Sequence, residues 1–149
     1  MIIRQLKIID APAVSEVIIT CLKEENSKFY PPEIIERMVK LYTPELIIRS
    51  AIDRLVLVAE DINGSIVGTA TFNLGFFGSV FVHPNNAHQG VGSKLMNTLE
   101  SLAKNQGQKK VKLHSSINAV GFYMGRGYMK GRFVKDVKFG KSYRMTKNL

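Results

Sequence analysis

From Val80 to Leu95 the chain reads Val-Phe-Val-His-Pro-Asn-Asn-Ala-His-Gln-Gly-Val-Gly-Ser-Lys-Leu, an apolar strand, a proline-stopped turn and a Gly-Val-Gly entry into a helix. Val91, Leu95, Leu99 and Leu102 recur at helical spacing and make one face apolar. Lys94, Asn97, Glu100, Ser101 and Lys104 fall mostly on the other. A helix opened by glycines leaves its first backbone N–H groups free at the positive end of the helix dipole, a setting for phosphate or pyrophosphate. This unit therefore asks for a sheet with a helix packed on it, and it points to a phosphate-bearing ligand.

Other glycine loops do not fit. A nucleotide-hydrolase loop needs four residues between its first glycine and Gly-Lys-Ser/Thr, whereas Gly90-Val-Gly-Ser-Lys94 has a different spacing and order. A dinucleotide fingerprint needs a third glycine where Leu95 stands. The plain alternative is that Gly90 and Gly92 serve only a tight turn and a close helix–strand contact.

Val82-His-Pro84 followed by Gly90-Val-Gly92 and a Leu-Met helix resembles the acyl-CoA pyrophosphate loop of the GNAT superfamily of N-acyltransferases. A second segment, Ser115-Ser-Ile-Asn-Ala-Val-Gly-Phe-Tyr-Met-Gly-Arg-Gly-Tyr128, is similar to that superfamily's Ser-x-Asn-Ala-x-x-Phe-Tyr element. The two cover about a third of the chain and stand in the expected order. One position departs from the pattern: Ala87 occupies the place where the superfamily usually carries Gln or Arg. The resemblance implies that backbone amides of His88, Gln89, Gly90, Val91, Gly92 and Ser93 cradle the pyrophosphate, which needs no side chain. Ala87 bears on affinity for acetyl-CoA rather than on its identity.

A chain of 149 residues, 45% apolar, is expected to form one domain with a core. No apolar run is long enough to span a membrane, and no signal peptide precedes the first strand-like pattern. The lone Cys21 excludes an internal disulfide and suits a reducing cytoplasm; it is expected as a small buried hydrophobe on the first helix. The net charge of +9 is uneven: residues 104–149 hold twelve Lys/Arg against Asp136 alone, whereas residues 1–103 hold nine against eleven acidic residues. Such a surface attracts polyanions, whether CoA phosphates, an acidic substrate or nucleic acid. Nucleic-acid binding is not expected as the main task, because no reader motif accompanies the charge. Three scattered histidines and one cysteine lack metal-ligand spacing.

Along the chain, Met1–Ile8 reads as a strand. Asp10 caps a helix to about Asn26, Glu33–Leu41 forms a second helix, and Thr43-Pro-Glu45 starts a short third. Leu55–Glu60 and Ser65–Asn73 pair through the turn Asp61–Gly64. Gly75–Gly78 leads into the strand Ser79–Val82. Gly107 ends the central helix, Lys110–His114 makes the next strand, and Asn118 caps a two-turn helix. Tyr128–Val134 and Ser142–Thr146 finish as strands. The order βααα-βββ-α-β-α-ββ is an α/β fold. It resembles the GNAT arrangement: a mixed, mostly antiparallel sheet with helices on both faces and a splayed central strand pair.

That resemblance implies an N-acetyltransferase moving an acetyl group from acetyl-CoA to a primary amine by direct attack in a ternary complex. The acceptor is a small-molecule, protein or peptide amine. The pantetheine arm would bond to backbone groups at Val80 and Val82, one of which polarises the thioester. Tyr123 would donate to the CoA sulfur, and Asn118 would bond the CoA arm besides capping its helix, while Phe122 is expected in the core. No carboxylate lies on the strand before the loop, so His114, Glu33 or a water relay remain open as the general base. Tyr30, Phe72, Phe76 and Phe77 suggest an aromatic acceptor pocket, and the basic last strands an acidic acceptor. The rival is a non-catalytic acyl-CoA sensor or interaction module on the same fold. A homodimer through the terminal strands would suit either.

Overall fold

The computed structural model describes residues 1–149, built on one seven-stranded sheet. Its strands are β1 (Ile2–Gln5), β2 (Leu55–Glu60), β3 (Ile66–Asn73), β4 (Phe76–Val82), β5 (Lys110–Ser116), β6 (Met129–Asp136) and β7 (Gly140–Asn148), in the spatial order β1-β2-β3-β4-β5-β7-β6. Every neighbouring pair is antiparallel except β4 and β5. The helices are α1 (Ala11–Glu24), α2 (Pro32–Lys40), α3 (Pro44–Ser50), α4 (Val91–Asn105) and α5 (Val120–Gly125).

The centre of the sheet is buried on both faces, and its two-residue period sends neighbouring side chains to different cores. Leu57 joins Leu95, Met96 and Leu99 of α4 with Phe72, Phe77, Leu113 and Met145. Val58, next in sequence, joins Val14, Ile18 and Leu22 of α1 with Met38 and Ile47 on the opposite face. On α4 the buried set is Val91, Leu95, Met96, Leu99 and Ala103, so Met96 and Ala103 supplement a stripe from which Leu102 is only partly buried. At the far edge of the sheet every residue of β6 is exposed or half-exposed.

Several boundaries differ from the sequence expectation for local reasons. Phe76, Phe77 and Gly78 belong to β4 itself, because Phe76 and Phe77 pair with both neighbouring strands. The carboxylate of Asp10 does not cap α1. Arg4 donates to it twice, at 2.7 and 2.9 Å, and the Lys7 N–H once at 2.7 Å, which pins the first strand to the start of the helix. Thr43 does cap α3, accepting from the Leu46 N–H at 3.3 Å. Asn118 caps nothing: it lies inside a short 3-10 turn, Ile117–Ala119, which delays α5 to Val120.

Candidate functional site: a split sheet beside a helix N-terminus

β4 and β5 meet through two residue pairs only, Phe76 with Lys112 and Phe77 with Leu113, and then part. Just past the parting, Ser79 takes a φ of +46°, an outlier for a residue with a side chain, and the β3–β4 register slips. Such backbone strain persists only where the surroundings impose it. Beyond it the His83 N–H donates to the Val67 carbonyl at 2.9 Å. In antiparallel pairing the main-chain groups alternate sides, so those of Val82, and of Val80 two residues earlier, face away from β3. With β5 gone from that side, they meet no neighbouring strand there, and the Val82 N–H lies by the Cys21 thiol.

At the mouth of the cleft the N–H groups of His88, Gln89, Gly90, Val91, Gly92 and Ser93 donate to no protein acceptor; the first bond of α4 is Lys94 N–H to the Gly90 carbonyl. Gly90 adopts φ +82°, which turns the loop into the helix and which only glycine adopts without strain. At Gly92 a Cβ would sit 3.2 Å from the Phe122 ring, close enough to push it, and in ordinary contact with Val82 at 3.7 Å. An anion fits this cradle, because the free amides and the helix dipole favour negative charge. Ala87 contributes only its own N–H, given to the Pro84 carbonyl at 3.2 Å.

α5 flanks the same cleft. Tyr123 is buried between Phe122 and Tyr128, stacked edge-on with each, and its hydroxyl bonds no protein group. Burial pushes its phenol well above the ordinary value near 10. Outright transfer of its proton to a thiolate, whose thiol titrates near 8.5, would thus be uphill. A hydrogen bond to sulfur is what this hydroxyl can supply. Phe122 is not core: its ring is 39% exposed and covers Gly92.

The other expected residues separate. Phe72 and Phe77 are packed in the core with α4 rather than in an acceptor pocket, because their strands point them at that helix. Phe76 meets the His114 ring edge-on at 5.5 Å. His114 follows the last β4–β5 pair, so it stands where the strands part. Burial, then the neighbouring Arg144, hold its imidazole below the ordinary value, Lys112 adding to this and Asp136 opposing it; the neutral form, able to accept a proton, is favoured. His83 is occupied as a turn cap, its Nδ1 accepting from the Asn85 N–H at 3.1 Å. Cys21 is only partly buried; its thiol lies against the Val82 backbone, and burial pushes it up to about 11, so it is not a ready nucleophile.

Two cavities open on the α1–α3 face. One of about 230 Å³ is lined by Ser79 together with Tyr42, Thr69 and Thr71, and the β6–β7 turn reaches it through Lys138 and Phe139. Tyr42 and Ser79 approach hydroxyl to hydroxyl at 3.3 Å. Neither residue carries a signal in the sequence, since a bulge and a helix-end tyrosine become neighbours only through the fold. The other cavity, of about 970 Å³, lies between the start of α2 and the β6–β7 turn, with Tyr30 and Glu33 in its wall. The Tyr30 hydroxyl donates to the Lys141 carbonyl and accepts from the Ile117 N–H at 2.9 Å, tying α2 to the ends of β5 and β7. No helix is long and apolar enough to cross a membrane.

Residues 24–148 match the protein family described as the acetyltransferase (GNAT) domain. Among curated proteins none matches the sequence significantly. Solved structures share the fold over nearly the whole chain. A GCN5-related N-acetyltransferase from Rhodopseudomonas palustris superposes with a TM-score of 0.90 at 24% identity, covering 99% of this chain and 95% of its own. PaiA N-acetyltransferase from Thermoplasma acidophilum, in complex with coenzyme A, gives 0.78 at 22% identity, covering 99% and 98%. A phosphinothricin acetyltransferase from Sinorhizobium meliloti, in complex with acetyl-CoA, gives 0.73 at 14% identity, covering 99% and 88%.

Proposed function

The chain belongs to the GNAT acetyltransferase family, and from that premise we propose that it transfers an acetyl group from acetyl-CoA to a primary amine by direct attack within a ternary complex. The observation that carries this reading is the set of six free backbone amides, at residues 88–93, beside a strand that has lost its β5 partner by Val80 and Val82. The amides suit a pyrophosphate and the strand edge suits an amide-bearing arm, which together describe the shape of CoA. Asn118, free of any capping duty, is available to the same arm. Acetyl-CoA supplies the activated acyl group.

The protein must then orient the carbonyl, take a proton from the amine and ease the departure of sulfur. A backbone N–H of β4 on the cleft side polarises the thioester oxygen. His114, neutral and at the point of divergence, accepts the proton lost by the amine as the new C–N bond forms. As the C–S bond breaks, Tyr123 donates a hydrogen bond to the departing thiolate, which becomes the free thiol by taking a proton from water while His114 returns the amine's proton to solvent. Tyr42 and Ser79 line the small cavity beside the strained turn of β4 and orient the reacting groups from the acceptor side. The acceptor enters through the larger cavity between α2 and the β6–β7 turn.

The test is thiol release. Purified protein given acetyl-CoA and a panel of primary amines should release CoA thiol at a rate that saturates with both substrates, giving intersecting rather than parallel double-reciprocal lines. Parallel lines would indicate an acyl-enzyme and contradict direct attack. Tight acetyl-CoA binding without release from any amine would favour a non-catalytic sensor.

A further inference from the structure

The larger cavity carries a charge arrangement that bears on the acceptor, and this inference rests on the transferase reading above. Lys135 and Lys141 are directly opposed across the β6–β7 pair and both line the cavity. Like charges facing each other on neighbouring strands are destabilising, so a fold keeps the pair only at a cost. Neither lysine makes an ion pair, although carboxylates are near. Asp136 spends one carboxylate oxygen on the Lys138 and Phe139 N–H groups, at 2.7 and 3.0 Å, in shaping the turn. Glu33, one helical turn before Arg37 on α2, pairs with no cation. Arg37 gives one hydrogen bond, to the Val137 carbonyl at 3.1 Å, and pairs with no acid. The wall therefore holds three cations that form no ion pair, in the company of Glu33 and Asp136.

We propose that the acceptor amine also carries a carboxylate, held by Lys135, Lys141 and Arg37. Several features argue for a carboxylate over a phosphate. α2 opens on Pro31-Pro32, which have no N–H to donate, so this helix start lacks the amide cradle that phosphates take. Lysine ammoniums act as point charges and ask for no extended oxygen array. Phe29, Ile34 and Val137 supply an apolar wall on which the carbon skeleton between amine and carboxylate rests. The Tyr30 hydroxyl donates to the Lys141 carbonyl and accepts from the Ile117 N–H, so the Lys141 side chain springs from an anchored strand start.

The experiment compares δ-aminovalerate with pentylamine as acceptors, and glutarate with cadaverine as ligands measured by calorimetry, on the wild-type protein and on a Lys135→Ala/Lys141→Ala variant. Both lysines are exposed, and removing two repelling charges should leave the fold intact. The proposal expects kcat/KM for δ-aminovalerate to exceed that for pentylamine about tenfold or more, with the preference lost in the variant. It expects glutarate to bind wild type and not the variant, and cadaverine to bind neither. A short peptide with an acidic N-terminal residue, run beside free glutamate, tells whether the carboxylate belongs to a polypeptide or a small molecule. Equal turnover of the charged and neutral amines, a preference for cadaverine, or glutarate binding that ignores both lysines overturns it. The two readings fail separately: acetyl-CoA binding with equal amine turnover removes only the carboxylate. Lysine-dependent glutarate binding without acetyl-CoA binding removes only the transferase.

Discussion

Phe77 and Leu113 are the last residues at which β4 and β5 remain paired, and Ser79, Val80, Val82 and His114 all follow that pair along their strands. Both side chains are buried, at 0% and 1% exposure, in the core beneath α4. The opening is therefore anchored by packing. Ser79 stands two residues beyond Phe77 and His114 one beyond Leu113, so the strained turn and the imidazole flank the vertex from the two strands.

Replacing Tyr123 with Phe should lower kcat by about 100-fold while leaving acetyl-CoA affinity unchanged, because the hydroxyl bonds no protein group and its loss opens no packing defect. Steady-state kinetics and calorimetry on the one variant check both halves. Unaltered kcat would remove Tyr123 from the chemistry.

The two loop glycines should fail differently. Gly90→Ala has free space around it but places a side chain at φ +82°, costing about 1 kcal/mol in stability. Gly92→Ala keeps a helical backbone and meets the Phe122 ring, which is half out in solvent and can shift. Its melting temperature should stay near wild type while acetyl-CoA affinity falls, since the new methyl crowds the free amides. Thermal melts and titrations of both variants separate strain from occlusion.

If His114 is the base, the acid limb of kcat/KM should lie below the ordinary histidine value of about 6.5, because burial and Arg144 lower its pKa. His114→Ala should abolish that limb and lower the rate. A limb that survives the substitution would assign the proton to Glu33 or to water.

Asp10→Asn should destabilise the fold by about 2 kcal/mol at neutral pH, since the carboxylate binds the Arg4 guanidinium twice and the Lys7 N–H once. The Arg4 hydrogen bonds hold its carboxyl below the usual value, against the opposing effect of burial. A depressed carboxyl stabilises the fold above its unfolded pKa, near 4, and loses that contribution as pH falls through the folded value. The gap between wild type and variant in denaturant unfolding should be full at neutral pH and should close only in strong acid.

Regions where one local signal dominates were legible in the sequence. Leu55–Glu60 is a near-continuous apolar run bounded by a turn, and the Gly-Val-Gly entry and apolar stripe of α4 needed no distant partner. The free amides at residues 88–93 were legible for the same reason, since they belong to the backbone. Positions decided by tertiary contacts were not. Asp10 looks like a helix cap until Arg4 claims it, and Phe122 looks like core until Gly92 gives its ring a surface to cover. The Tyr42–Ser79 contact joins residues 37 apart. The Lys135–Lys141 opposition depends on the register of β6 against β7, which the turn between them sets.

Titration of acetyl-CoA into the protein, beside a Gly92→Ala variant, tests the central claim most directly. The account predicts one site per chain with a dissociation constant in the micromolar range, weakened by the added methyl despite an unchanged fold. Heat no different from dilution at millimolar acetyl-CoA, or binding indifferent to Gly92, would contradict it.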